Sequence, residues 1–202
     1  RRISGTVDVN AKVAGTVESP TVQGTVQLHK GSLHDYRHGI DLTDIEGTLE
    51  GTQAELRITQ LTAHAATGTI AVTGTIGVLQ GGWPVDLRIT ARNAQPFSSS
   101  IVSGNVNADL TLTGSALREL TLVGDVLVNR ATVEIPNDFP PNVAVLDVRR
   151  PGQVVNPTTG GPVVKLKVTV DAPRQILVRG RGLDAELGGR IQIDGTAQVP
   201  RI

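Results

Sequence analysis

Cysteine is absent from the 202-residue chain. That removes disulfide staples, thiolate nucleophiles and cysteine-based metal sites. Aromatic residues are scarce as well: Phe97, Phe139, Trp83 and Tyr36 make up 2% of the sequence. A protein that stacks nucleobases needs more of them. A net charge of zero, from 19 basic and 19 acidic residues, leaves no basic excess to meet a phosphate backbone. Both features argue against nucleic acid as a partner. No stretch approaches the ~18 consecutive apolar residues of a membrane-crossing helix. Methionine is missing too, and the chain opens on Arg1. We therefore expect a fragment of a longer protein, with any signal or membrane anchor outside it, although a processed mature chain would look the same.

The bulk that is present is Val, Leu, Ile and Ala, and it is spaced by twos. Val7, Val9, Ala11 and Val13 alternate with Thr6, Asp8, Asn10 and Lys12. The pattern returns at Ile70, Val72, Ile76 and Val78 with Gly74 in the row, and at Val85, Leu87, Ile89 and Ala91. Val106, Ala108, Leu110 and Leu112 oppose Asn105, Asn107, Asp109 and Thr111; Val164, Leu166, Val168 and Val170 oppose Lys165, Lys167, Thr169 and Asp171. Strict alternation predicts strands with one apolar and one polar face, and hence an antiparallel sheet. Period-3.6 patterning is missing, and Thr, Val and Gly are poor helix formers; at most one helical turn is expected, near residues 115–117.

Glycine punctuates the strands. The stretches 4–33 (SGTVDVNAKVAGTVESPTVQGTVQLHKGSL) and 103–133 (SGNVNADLTLTGSALRELTLVGDVLVNRATV) share glycines, alternation and spacing, with a one-residue difference between the second and third glycines. They form an internal repeat of roughly a hundred residues, joined through a turn-rich link at 93–100. Mid-strand glycine permits bulges and bends, so the sheet is expected to curl. Tight turns are expected at Ser19 with Pro20 and at 81–84. Segment 135–142 cannot be a central strand, and 149–162 has the composition of a mobile loop projecting from one edge, more simply a solvated insertion than a binding element.

The last third is the most specific. LVRGRGLDAELGGRIQIDGT, residues 177–196, resembles the glycine-rich run of the TamB family through Val178, Gly180, Gly182, Leu183, Ala185, Leu187, Gly189, Ile191, Ile193 and Gly195. GDVLVNRATVEIP, from Gly124, resembles the family's strand step, with Ala131 in place of the usual glycine. The resemblance covers essentially the whole chain. It implies an all-β, taco-like curled sheet with an aliphatic interior groove. It also implies periplasmic location within an inner-membrane-anchored protein, a TamA-like outer-membrane barrel as partner, and roles in phospholipid movement and outer-membrane protein assembly. No enzymatic residues and no cofactor come with it.

We accordingly expect one elongated module over 1–202. Its groove is expected to be lined by Val7, Val9, Val13, Val106, Leu110, Leu112, Val126, Val128, Val164, Leu166, Val168 and Val170, while Thr6, Asp8, Asn107, Asp109, Lys165 and Lys167 face water. Such a groove would shelter phospholipid acyl chains or hold an extended client strand; a filled spacer is the third reading. Other chemistry is weak. His34 and His38 have metal-pair spacing only on a helix, and with His29 they read as surface imidazoles. Asp41, Asp44 and Glu46 read as solvated turn charges. Gly180, Arg181 and Gly182 lack the third glycine and the helix of a dinucleotide loop, and no nucleophile elbow is present. Arg174, Arg179 and Arg181 could meet lipid phosphates at a rim, but a solvated strand face is the simpler reading. Trp83 is either an exposed turn residue or a cap on the interior.

Overall fold

The structure, a computed structural model, describes residues 2–15, 20–35, 39–52, 54–78, 81–96, 102–135 and 161–201. The expected loop at 149–162 falls almost entirely outside these residues, as do His38 and the serines of the 93–100 link. The described residues hold eleven strands and no helix. The strands are β1 (Arg2–Gly15), β2 (Pro20–Asp35), β3 (Ile40–Gly51), β4 (Glu55–Ala65), β5 (Gly68–Gly77) and β6 (Pro84–Ala94), followed by β7 (Val102–Ser115), β8 (Glu119–Glu134), β9 (Val163–Gly180), β10 (Leu183–Thr196) and β11 (Val199–Arg201). They form a single curled sheet in strict sequence order.

Every pairing is antiparallel except one. β8 and β9 run parallel, with Leu122 beside Leu166 and Val126 beside Val170. A parallel pair needs a crossover of a dozen or more residues, and the chain between Glu134 and Val163 is long enough to supply it. The neighbouring connections are tight. Gly180 pairs with Leu183 around Arg181 and Gly182, whose φ values of 51° and 83° fit the two-residue hairpin turn that matches strand twist. The Gly180 to Gly182 segment is thus a hairpin rather than an anion loop. Residues 115–117 form a turn at the end of β7, closed by the Arg118 N–H donating to the Ser115 carbonyl at 3.1 Å, not a turn of helix. Trp83 sits in the turn before β6 with φ 51° and is 48% exposed, so it caps no interior.

The two repeated stretches become the hairpins β1–β2 and β7–β8. Val7 faces Leu28 and Val9 faces Val26 in the first; Val106 faces Val128 and Ala108 faces Val126 in the second.

Curvature enters at bulges, some at glycines such as Gly5 and Gly31 and three at residues that glycine did not mark. An extra residue interrupts the ladder near Lys30, Asp44 and Asn93, which hold φ near +50°. A bulge bends its strand and increases local twist. Glycines stand mostly in register on the apolar side instead. Gly74 and Gly124 have φ of 137° and 145°, and a Cβ at either would lie 2.1 Å from the carbonyl oxygen of Asp86 or Asp109. These two positions let neighbouring backbones approach as no side-chain-bearing residue could.

The interior is not a closed core. Among the described residues, the buried apolar side chains are mostly small, with Ala65 and Ala94 fully buried and Ala91 and Ala108 packed with them. No large side chain among the described residues is fully buried.

Candidate functional site: the aliphatic face

Directly opposed residues in a sheet share a face, so pair-by-pair register builds rows across the molecule. One row runs Val9, Val26, Leu49, Ile58, Gly74, Leu87, Leu112, Leu122, Leu166, Gly195. A second runs Val7, Leu28, Gly47, Leu61, Val72, Ile89, Leu110, Gly124, Val168, Ile193. A third begins at Ala63 and continues through Ile70, Ala91, Ala108, Val126 and Val170 to Ile191. At about 4.8 Å per strand, a row crossing ten strands is on the order of 40 Å long. It contains no charged or hydrogen-bonding side chain.

The sequence-predicted residues fall on these rows or beside them. Leu110, Leu112, Val126, Val128, Val164, Leu166 and Val170 are half-buried, Val106 likewise, and Val168 is buried. Val7 and Val9 occupy the same rows, but on the edge strand they are 56% and 66% exposed. Val13 pairs with Val22; its side chain lies outside the described set. Val78, counted with β5, lies beyond that strand's end and is exposed. The face as a whole is neither solvated like a surface nor covered like a core, because no second layer packs on it among the described residues. An apolar sheet face ordinarily buries itself against another layer.

Thr6, Asp8, Asp109, Lys165 and Lys167 are exposed on the opposite face. Asn107 is not open to water as expected, but half-buried. Its side chain donates to Asn129 Oδ1 at 3.0 Å, and its Oδ1 accepts from Asn129 at 3.2 Å and from the Asn93 N–H at 2.7 Å. Asn105 donates to the Asn93 carbonyl at 3.2 Å. This amide network holds the β6 bulge from outside. Beside it, Arg92 reaches Asp109 at 3.0 Å and donates to the carbonyls of Ala91 and Ala108. The Arg92 hydrogen bond holds the Asp109 carboxyl below its ordinary pKa of 3.8, against a smaller opposing desolvation.

The other sequence candidates resolve into local contacts. His34 Nδ1 meets Asp41 at 2.6 Å across the β2–β3 pair, and His29 lies 3.8 Å from Asp8. Asp44 is a bulge residue. Arg179 pairs with Asp184 at 3.3 Å, while the Arg174 side chain is outside the described set. A hollow of about 810 Å³ opens where β9–β10 pairing is interrupted, between Asp171, Ala172, Pro173, Glu186, Gly188, Gly189 and Arg190. Its lining is mixed, it carries the Arg190–Asp171 ion pair at 3.2 Å, and none of the row residues lines it.

Several face residues were missed in the site expected from sequence: Leu49, Ile58, Leu61 and the pair Leu42 and Ile45. Their strands are bulged, so alternation breaks. The readable signal is a single step of three in an otherwise period-two row, as between Leu42 and Ile45, Ile58 and Leu61, and Ala91 and Ala94.

A profile of the TamB C-terminal domain matches residues 58–202. The chain is also similar to "Protein TIC236, chloroplastic" of Arabidopsis thaliana, 25% identical over 141 residues, which is 67% of this chain and 6% of that protein. The chain therefore spans a small fraction of its relative's length. No solved structure matches.

Proposed function

This chain belongs to the TamB family, and from that premise we propose that its aliphatic face shelters phospholipid acyl chains passing between the two membranes of a Gram-negative envelope. TamB-family proteins are envelope-associated transport and assembly modules. The observation that carries the proposal is that face: three aligned aliphatic rows, half-exposed, without a charged side chain and, among the described residues, without a covering layer. Each methylene placed against such a face gains about 0.8 kcal/mol, while head groups stay in water at the rim. Among the described residues no helix is long and apolar enough to cross a membrane, and the anchor in this reading belongs to a part of the protein beyond this stretch. The periplasm is the compartment, and a TamA-like outer-membrane barrel is the partner protein.

A strand-holding role is the second reading, and a specific observation favours it. Among the described residues, β1 pairs on one side only, with β2, and β10 from Leu183 to Ile193 pairs only with β9, since β11 reaches only Asp194, Gly195 and Thr196. Open edges accept extended peptides through main-chain hydrogen bonds. Native mass spectrometry of the chain purified from membranes separates the readings. Co-purified phospholipid, displaced by Leu112→Asp, supports the acyl-chain reading. A lipid-free chain that also fails to extract lipid from vesicles overturns it.

A further inference from the structure

Four exposed apolar side chains gather at one end of the middle strands. Val78 follows β5, Trp83 precedes β6, Leu117 lies in the turn between β7 and β8, and Val163 opens β9. They are 38%, 48%, 64% and 44% exposed. Each of these strands has a neighbour on both sides, so the exposure does not depend on where the sheet stops. Hydrogen bonds tie the connections into one rim. The Ala116 N–H donates to the Trp83 carbonyl at 3.0 Å, and the Leu117 N–H donates to the Gly82 carbonyl at 3.4 Å. The Ser115 hydroxyl donates to the Gly82 carbonyl as well. On the far side of the turn, the Val163 N–H donates to the Arg118 carbonyl at 3.0 Å. The Arg118 side chain is exposed, and Lys165 pairs with Glu119 beside it at 2.9 Å.

Trp83 is out of place as a plain turn residue. It is the only tryptophan in the chain, and it holds φ 51°. A bulky side chain in the left-handed region is strained. Gly81 and Gly82 precede it, and a third glycine would make the same turn without strain. An indole held in that conformation by a pinned backbone, with its ring half in water, is preorganised for a surface outside the chain. We propose that this rim docks on the interfacial layer of a phospholipid bilayer. Indole has an apolar body and a polar N–H, and it settles where acyl chains meet head groups. Leu117 and Val163 add apolar area beside it, and Arg118 supplies a cation for lipid phosphates. A stable protein interface takes about 800 Å² from each partner, more than four turn side chains present. A bilayer instead closes around protruding tips. Docking of the rim is independent of what the aliphatic face shelters.

With a single tryptophan in the 202-residue chain, intrinsic fluorescence reads the rim directly. Vesicles of phosphatidylethanolamine and phosphatidylglycerol are expected to shift the Trp83 emission to the blue. Lipids brominated near the head group are expected to quench it. In co-sedimentation, Trp83→Gly is expected to weaken vesicle binding about tenfold. Its melting temperature should stay level or rise, because glycine relieves the backbone, so the loss would not follow from unfolding. Leu117→Asp, at an exposed turn position, should weaken binding to a similar extent. Arg118→Ala should weaken it about fivefold, and only when phosphatidylglycerol is present. Emission unmoved by vesicles, or equal co-sedimentation of Trp83→Gly, Leu117→Asp and the unaltered chain, would overturn the assignment. So would a Trp83 that ignores vesicles but becomes shielded from acrylamide as protein concentration rises, which would give the rim to a second copy of this chain.

Discussion

Ala91 and Ala94 lie three residues apart on β6, yet both face the aliphatic side, opposite Ala108 and Val106 of β7. In an unbroken strand they would point to opposite faces. The extra residue is accommodated by Asn93 at φ 48° and is fixed from the polar side by the Asn107 side chain. The bulge lets an alanine-rich stretch stay on one face while the sheet bends there.

The Asn107 contact is therefore expected to matter more than a surface amide would. Asn107→Ala removes an acceptor for the Asn93 N–H and one partner of the Asn129 amide, and should cost about 1–2 kcal/mol. Urea unfolding reads the loss. Hydrogen exchange at Asn93 should accelerate in the variant beyond the global change.

Glycine positions on the aliphatic face should divide sharply. Gly124→Val requires a side chain where the Asp109 carbonyl already sits, at a φ of 145°, and is expected to cost more than ~2 kcal/mol or prevent folding. Gly189→Ala meets nothing within 4 Å and should leave the urea midpoint nearly unchanged. Equal tolerance at the two sites would contradict the register of β7 and β8.

A charge in the middle of a row distinguishes an open face from a closed core. Leu112 lies between Leu87 and Leu122, and it is half-buried. Leu112→Asp should keep the chain folded, with a loss of about 1–2 kcal/mol, because the carboxylate can reach water. An unpaired charge in a sealed interior costs about 3–5 kcal/mol. The variant should lose bound phospholipid in native mass spectrometry while its melting temperature falls only modestly. Leu166→Arg, beside Leu122 and Gly195, should behave alike.

Asp109 offers a pH test. Its carboxyl titrates below the ordinary 3.8 because Arg92 hydrogen-bonds the charged form. A lowered folded-state pKa stabilises the fold above the unfolded pKa, and that contribution disappears as pH falls through the folded value. Carboxyl NMR titration should place Asp109 below the reference, and Arg92→Gln should move it upward. An unchanged midpoint in the variant would show that Arg92 is not the cause.

Much of the face was legible in the residues themselves. Where alternation runs unbroken, as from Ala108 to Leu112 or from Val164 to Val168, burial follows the pattern, because side-chain direction in a strand has a period of two. The bulged strands were not legible, since an inserted residue resets the phase without a strong local marker, and Lys30, Asp44 and Asn93 stand where glycine was the expected sign. The parallel neighbour of β8 left only a faint trace: Val123 and Leu127 make that strand apolar on its outer side as well, nearer to the continuous apolar run of a parallel strand.

The sequence by itself determined that this protein is a sheet and which residues share its aliphatic face along each regular strand. These follow from local sterics and alternation, which each strand carries without reference to its neighbours. Only the tertiary structure decided that β9 lies parallel to β8, that the β2, β3 and β6 ladders bulge, and that no second layer packs on the aliphatic face among the described residues. Those depend on which distant segment pairs with which edge, and on whether any layer remains to pack on the face, a balance of long-range contacts that no single strand encodes.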